Sequence, residues 1–159
     1  MEFFNRKGDL MSLLEKFNND MIKAMKEKDK ERLTTLRMVK GAIQLEKKNQ
    51  RDEITEDMLI DAVNKQIKLR KDSVSEFEKA GRNDLAEPTK KEIKILQDYL
   101  PEQLSEEEVN KIIDDVFNKV NPTSAKEMGI IMKEITPLVK GKADMKDIST
   151  KIRERLANL

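Results

Sequence analysis

Apolar residues recur every three or four positions from Ser12 onward, which is the spacing of one face of an α-helix. In the first such stretch Leu14, Phe17 and Met21 fall on one stripe. No stretch of useful length alternates apolar and polar residues as a half-buried strand does. The first part of the chain therefore predicts a helical domain of about four helices. The predicted helices cover residues 12–28, 30–50, 55–80 and about 87–100.

The second part of the chain predicts three shorter helices. Ser105 with Glu108, and Ser124 with Glu127, have the spacing of capping boxes, in which a side chain at each end of the first turn bonds a free backbone N–H. Asp144 can cap the last helix. The apolar stripe of that helix contains Met145, Ile148, Ile152 and Leu156.

The segment around Pro101 is the predicted domain boundary, because one helical pattern ends before it and another begins after it. The fold class predicted is all-α, with an N-terminal helical domain over residues 11–100 and a three-helix domain over residues 101–159. Residues 1–10 carry no helical period. They are interpreted either as a leader translated from an upstream start or as a short disordered arm.

The composition excludes several classes of chemistry. Charged residues make up 40% of the 159 positions, but only five Gly and four Pro are present, which favours a folded helical chain over a disordered one. The chain has no His and no Cys, so it lacks imidazole acid–base groups, thiolate nucleophiles and the usual zinc ligands. The acidic runs at residues 106–108 and 114–115 are interpreted as a helix N-terminus and a solvated face. No catalytic residue, metal site or cofactor is predicted.

The net charge is close to zero, and the hydropathy along the chain does not predict a membrane protein. Lys and Arg number 32 against 31 Asp and Glu, a formal net charge of +1. No apolar run approaches the roughly 20 residues that span a bilayer, and the first residues lack the apolar region of a secretory signal. We therefore expect a cytoplasmic protein with no membrane partner; the oligomeric state is left open.

Basic residues are nevertheless concentrated near the C-terminus. Residues 137–159 contain six basic and three acidic residues, a local charge of +3. Lys140, Lys142 and Lys146 lie around a predicted turn and the start of a helix, whose free N–H groups and dipole also attract phosphate. This pattern indicates either a phosphate-binding surface or an ordinary solvated basic face. Gly129 lies within a predicted helix and permits either close helix packing or access of a ligand to the backbone.

Five short strings follow one another along the chain: Met11-Ser12-Leu13-Leu14, Thr35-Leu36-Arg37-Met38-Val39-Lys40, Tyr99-Leu100-Pro101-Glu102-Gln103-Leu104, Met128-Gly129-Ile130-Ile131-Met132-Lys133 and Val139-Lys140-Gly141-Lys142-Ala143-Asp144. Taken together and in this order, they resemble the YqeY-like family, which is similar to the tail of the B subunit of glutamine-dependent tRNA amidotransferase (GatB). The resemblance covers residues 11–159 and implies an N-terminal helical domain followed by a three-helix bundle. It also implies contact with tRNA, which the corresponding tail makes in GatB, and a family-level association with carbon–nitrogen ligase activity that uses glutamine as amido-nitrogen donor.

The sequence and this resemblance together predict a non-catalytic accessory protein that binds tRNA or a tRNA-amidation complex through its C-terminal bundle. One alternative is a protein–protein adaptor with an exposed apolar surface on the N-terminal helices. Another is an amidotransferase component that acts with a separate glutaminase subunit. The predicted phosphate contacts are Lys133, Lys140, Lys142, Lys146 and Arg153, with Gly129 and Gly141 allowing close approach.

Overall fold

The computed structural model describes residues 11–159, so the predicted leader or arm at residues 1–10 lies outside the described residues. Within the described chain all regular structure is helical, which confirms the predicted fold class. The chain divides into two compact units, an N-terminal unit that ends at Pro101 and a C-terminal unit from Glu102 to Leu159. That each unit is a separate domain stays a prediction from the sequence. The helices are α1 (Leu13–Glu27), α2 (Lys30–Glu46), α3 (Glu56–Lys79), α4 (Asn83–Gln97), α5 (Glu106–Val120), α6 (Met128–Val139) and α7 (Met145–Ala157), with a 3-10 turn at Ala125–Glu127.

The N-terminal unit packs α1 to α4 around one apolar core. Its most extensive helix pair is α3 with α4. Side-chain oxygens of Ser12, Asp29 and Thr55 accept backbone N–H groups in the first turns of α1, α2 and α3, so each helix begins at a capping residue. The fully buried side chains of this core include Phe17, Leu36, Val39, Leu59, Val63, Leu96 and Tyr99.

Two helix boundaries differ from the sequence prediction. Helix α2 ends at Glu46 rather than near residue 50. Helix α4 begins at Asn83, whereas the sequence predicts a start near residue 87. Pro88 is therefore the sixth residue of α4, where its missing N–H leaves the carbonyl of Asp84 without its regular helical hydrogen bond.

A polar network around Tyr99 joins α1, α2 and the end of α4. The buried Tyr99 hydroxyl donates to Asp20 Oδ2 at 2.6 Å and accepts from Arg32 Nη1 at 3.0 Å. Lys16 Nζ bonds the same Asp20 oxygen at 2.8 Å, and Arg32 also pairs with Asp98 at 3.3 Å. Burial, reinforced by the hydrogen bond to Asp20, raises the pKa of Tyr99 above its ordinary value.

A second polar contact fixes α3 against α4. Arg70 is 7% exposed, and its Nε lies 2.9 Å from Glu92 Oε2 of α4. Its Nη1 donates to the side-chain oxygen of Gln66 at 2.6 Å, and its Nη2 contacts the sulfur of Met38 at 3.6 Å. The buried guanidinium is therefore fully engaged by groups of the unit itself, as a buried charge requires.

The C-terminal unit packs α5, α6 and α7 around a core that is entirely apolar. Ser105 and Glu108 form the predicted capping box at the start of α5, with reciprocal bonds of 3.1 and 2.8 Å. At the second predicted box, the Glu127 carboxylate accepts the N–H groups of Thr123 and Ser124, whereas the N–H of Glu127 bonds the Ser124 carbonyl oxygen rather than its hydroxyl. The core residues are Val109, Ile113, Val116, Phe117, Ile131, Ile135, Val139, Ile148, Ile152 and Leu156.

Candidate nucleic-acid interface

The turn between α6 and α7 is held in place by the segment that precedes α5. Gly141 is buried at a φ of +75°, a left-handed conformation that residues with a side chain rarely adopt. Its carbonyl oxygen accepts the side-chain amide of Gln103 at 2.8 Å, and the carbonyl of Lys142 accepts the N–H of Leu104 at 2.8 Å. These bonds fix the backbone from which the Lys142 side chain extends into solvent.

Two contacts determine which way each face of α6 points. Glu134 pairs with Lys119 of α5 at 2.8 Å, and this hydrogen bond, together with the charge of Lys119, lowers the pKa of Glu134. On the opposite side of the core stripe, the sulfur of Met132 lies 4.0 Å from the Ser149 hydroxyl of α7. One edge of α6 therefore borders α5 and the other borders α7.

The predicted site residues of α6 lie on its solvent face. Gly129 and Lys133 are four residues apart and so follow one another along one row of the helix. The charge of Lys133 also lowers the pKa of Glu134, so this row is not set apart from the edge that borders α5. Lys140 follows the last residue of α6, in the turn that leads to α7. All three positions are exposed.

The predicted site residues of α7 lie on the edge that borders α6. Lys146 and Arg153 are seven residues apart and flank Ser149, the residue that contacts α6. The cations that face α5 are different ones. Lys151 lies 3.6 Å from Glu106, and Arg155 bonds Asp114.

The predicted residues that are exposed on α6, on α7 and in the turn between them are called here the α6–α7 basic strip, which comprises Gly129, Lys133, Lys140, Lys142, Lys146 and Arg153. Within the described chain, the side chains of Lys133, Lys142, Lys146 and Arg153 are exposed and make no ion pair. The nearest acid in the turn is Asp144, which caps α7. The four strip cations that make no ion pair are therefore available to an external anion.

The N-terminus of α7 is less available to phosphate than the sequence predicts. The N-terminus of α7 was expected to attract phosphate through its free N–H groups. The Asp144 carboxylate already accepts the N–H of Lys146 at 2.9 Å, so a negative group of the protein itself occupies this end of the helix. An anion on the strip would be held by the side-chain cations instead.

The two glycines have different structural explanations. A Cβ at Gly129 would meet nothing within 4 Å, so close packing inside the described chain does not account for this glycine. Its exposed backbone remains accessible from solvent on the strip. Gly141 is accounted for by its positive φ and its burial, and it positions the lysines of the turn without being exposed itself.

Gln103 and Leu104 are positioning residues that the sequence did not point to, because they lie 38 residues before the backbone groups that they hold. Beside this junction is a groove of about 400 Å³ with an apolar floor that includes Val109 and Ile148. Its rim carries both signs of charge, including Lys151 and Asp147, so it lacks the uniform charge of the basic strip.

Other kinds of site find no support in the described residues. Over residues 11–159, no three carboxylates or other metal-ligating side chains converge on a point that could hold an ion. No described helix has the length and apolar character needed to cross a bilayer.

Comparison with known proteins identifies one family and several relatives that share one name. The family model described as Yqey-like protein matches residues 14–156. "Altered inheritance of mitochondria protein 41, mitochondrial" from Kluyveromyces lactis is 35% identical, over 84% of this chain and 70% of the relative. The proteins of the same name from Clavispora lusitaniae and Pyrenophora tritici-repentis are 34% and 28% identical, over 78% and 89% of this chain and 74% and 80% of the relatives.

These names contradict the prediction of a cytoplasmic protein, because the relatives are designated mitochondrial. The prediction was wrong because it depended on the absence of a membrane-spanning run and of a secretory signal, neither of which distinguishes the cytosol from the interior of an organelle. The resemblance found from the motifs is confirmed by the family model, whose match covers both units. The chain belongs to the YqeY-like family.

Proposed function

We propose that this protein is an accessory factor that binds tRNA through the α6–α7 basic strip and has no bond-making role of its own. The observation that supports the proposal is the set of exposed cations on α6, on α7 and in the turn between them, with Lys146 and Arg153 on the edge of α7 that borders α6. The ion pairs that α6 and α7 make across the bundle are directed toward α5, and they involve Glu134, Lys151 and Arg155. A run of cations suits the regularly spaced phosphates of a nucleic-acid backbone.

The chemistry of the strip favours recognition of backbone and shape over base sequence. None of the described aromatic side chains lies on it; Phe117, the aromatic residue of this unit, is buried in the core. Stacking of unpaired bases, the usual means of sequence-tolerant single-strand binding, therefore has no platform there. Double-helical RNA is recognised mainly through its shape, its phosphates and its 2′-hydroxyls, which lysine and arginine side chains can contact.

The choice of tRNA among RNAs follows from the resemblance to the tail of GatB. On that basis we further propose that the bound tRNA is one that enters glutamine-dependent amidation. The printed names of the mitochondrial relatives state no ligand, so this part of the proposal depends on the family resemblance alone.

A matched pair of double variants of the full chain tests the strip. Lys146→Glu with Arg153→Glu reverses two cations of the strip, and Lys111→Glu with Lys126→Glu reverses two exposed cations of the same unit outside it. The total charge changes equally, so a nonspecific charge effect predicts equal losses. We expect the strip variant to lose at least tenfold in tRNA affinity and the control to change less than about threefold.

Salt dependence gives an independent measure. Five phosphate contacts predict a slope of about −4 for log affinity against log salt concentration, since each contact contributes about −0.7 to −0.9. The strip variant should show a slope smaller in magnitude by about 2. Reversal of Lys140, Lys142 and Lys146 together should abolish tRNA retention while the helical circular dichroism stays unchanged. Unaltered binding by either strip variant would refute the assignment.

The amidation context requires a separate experiment. The tagged protein is recovered from native lysate with and without ribonuclease. We expect tRNA-amidation subunits to co-purify and to be released by ribonuclease, because the proposed link between them is the tRNA. Co-purification that resists ribonuclease would instead indicate direct protein contact, and would count against tRNA as the link.

A further inference from the structure

The N-terminal unit exposes apolar side chains on neighbouring helices. Met38 and Leu45 of α2 are 51% and 88% exposed, and Leu69 of α3 is 59% exposed. Met38 and Leu45 are seven residues apart and so lie on one row of α2. Side chains this exposed contribute little to the core of the unit, so another explanation is needed for their grouping.

Two contacts place α2 beside α3 along the stretch that carries these side chains. The ion pair of Glu46 with Lys65, at 2.9 Å, and the contact of Met38 with Arg70, at 3.6 Å, hold α2 beside α3 at two levels. Leu69 lies between Lys65 and Arg70 along α3, one turn after the first. Met38, Gly41, Leu45 and Leu69 are called here the α2–α3 patch.

Gly41 gives the patch a notch. It lies three residues after Met38 and four before Leu45, and a Cβ built on it meets nothing within 4 Å. A helix-interior glycine costs about 1 kcal/mol relative to alanine, and nothing in the described chain packs into the space that it leaves. A small residue between two larger ones is the arrangement that receives a side chain from a second helix.

The charges around the patch are asymmetric. Arg37 and Lys40 are exposed on the α2 flank, beside Gly41, and neither forms an ion pair within residues 11–159. The α3 flank carries the neutralised Glu46–Lys65 pair and, four residues apart, the exposed side chains of Lys68 and Asp72, so these four charges sum to zero. A partner that covers the patch would therefore meet net positive charge along the α2 flank only.

We infer that the α2–α3 patch docks an amphipathic helix of a partner protein, with acidic residues along the flank of that helix that faces Arg37 and Lys40. Apolar side chains of the partner at spacings of three, four and seven residues would pack over Met38, Leu45 and Leu69, with one of them in the notch at Gly41. Adaptable methionine at such a surface suits helix binding. A lipid surface fits less well, because the patch has no aromatic residue and its apolar area is interrupted at Gly41.

Site-specific photo-crosslinking of the full chain tests this inference. A benzophenone amino acid replaces Leu45, and in a reference protein it replaces Leu138, a half-exposed residue of the C-terminal unit. After irradiation in native lysate, mass spectrometry identifies the segment joined at each position. We expect the Leu45 probe to join a segment with apolar residues at helical spacing and acids along one flank, at a yield at least tenfold above that of the reference.

Two variants and a vesicle assay complete the design. Leu69→Asp, and Arg37→Glu with Lys40→Glu, should each lower the Leu45 yield at least tenfold, with unchanged circular dichroism and unchanged tRNA binding. The inference would be overturned if the Leu45 probe joined RNA, lipid or a segment without the acidic amphipathic pattern. A yield equal to that of the reference would overturn it as well. Flotation of the protein with vesicles of phosphatidylserine and phosphatidylcholine, abolished by Leu45→Asp, would overturn it in favour of a membrane. Because the proposed tRNA site lies on other helices, failure of either proposal leaves the other standing.

Discussion

The two units of this protein place their charged groups in opposite ways. In the N-terminal unit, Arg70 is buried against Glu92, and the Tyr99 hydroxyl lies between Asp20 and Arg32. In the C-terminal unit every buried residue of the described chain is uncharged, and the strip cations Lys133, Lys142, Lys146 and Arg153 are exposed and make no ion pair there. Charged groups that already have internal partners stabilise structure, whereas those without them are free to contact a ligand. The comparison therefore directs the search for function to the basic strip and to the unpaired cations of α2.

The units also differ in how much core supports them. The C-terminal unit, residues 102–159, buries ten apolar residues around three short helices. A unit of about 60 residues has a marginal core by surface-to-volume scaling. Single changes to its core or to its helix caps should consequently remove a larger share of its stability than comparable changes in the N-terminal unit.

The largest effect is expected from Ile135→Ala, which empties a fully buried position between the three helices of the C-terminal unit. Such truncations cost about 2–5 kcal/mol, which approaches the entire stability of a unit of this size. Hydrogen exchange should show amides of α5 to α7 losing protection while those of α2 and α3 keep it. The control is Ile130→Ala at a half-exposed position, for which a change within about 0.5 kcal/mol is expected. Equal loss of protection in both units would show that they unfold as one.

Tyr99→Phe should have the next largest effect, and it tests whether the polar network of the N-terminal unit stabilises the fold. The ring can keep its edge contact with Phe17, at 5.5 Å between centroids, so the change isolates the hydroxyl. Asp20 and Arg32 would each lose one hydrogen-bond partner, and the free energy of unfolding should fall by about 1–3 kcal/mol. Urea unfolding followed by circular dichroism measures this. An unchanged midpoint would mean that water replaces the hydroxyl at no cost.

The fold was largely predictable because its determinants are local. Caps at Thr55, Ser105 and Asp144 and the apolar stripe of α7 follow from residues within a few positions of one another. Tyr99 had no comparable signal. Its partners Asp20 and Arg32 lie 79 and 67 residues away, and only packing brings them together.

The candidate site was predictable in its residues but not in its arrangement. The local excess of Lys and Arg identified the basic residues, and the helical period placed Lys146 with Arg153. The sequence could not show that this row borders α6, since that depends on how α6 and α7 are rotated against each other, as fixed by the Met132–Ser149 contact. Neither could it show that Lys151 and Arg155 face α5 instead.

Acidification should weaken the N-terminal unit through Asp20. Burial alone raises the pKa of Asp20, but the hydrogen bonds from Lys16 and Tyr99, with the charges of Lys16 and Arg32, outweigh it and leave the pKa below the ordinary value. A carboxyl group with a lowered native pKa stabilises the fold above its unfolded pKa of about 4, and this stabilisation is lost as the pH falls through the native pKa.

The difference in unfolding free energy between the native protein and Asp20→Asn should therefore be largest at neutral pH and shrink below about pH 4. Urea unfolding at a series of pH values measures it. Asp115→Asn is the control, because Asp115 is exposed on α5 and makes no ion pair in the described chain; its effect should be small at every pH. A difference for Asp20→Asn that stays constant down to pH 3 would contradict the proposed role of its charge.

The smallest effect is expected from the two serines at the predicted capping boxes, and it should differ between them. The Ser105 hydroxyl accepts the N–H of Glu108, so Ser105→Ala should cost about 1 kcal/mol. At Ser124 the N–H of Glu127 bonds the serine carbonyl, which alanine retains, and the Glu127 carboxylate still accepts the backbone N–H groups of residues 123 and 124. Ser124→Ala should therefore cost only a few tenths of a kcal/mol, as expected where a side chain makes no cap bond.

Thermal unfolding of the C-terminal unit, monitored by circular dichroism, measures both variants under one set of conditions. Equal losses would mean that the Ser124 hydroxyl caps its turn in solution, and the two boxes would then be equivalent, as their sequences alone suggest.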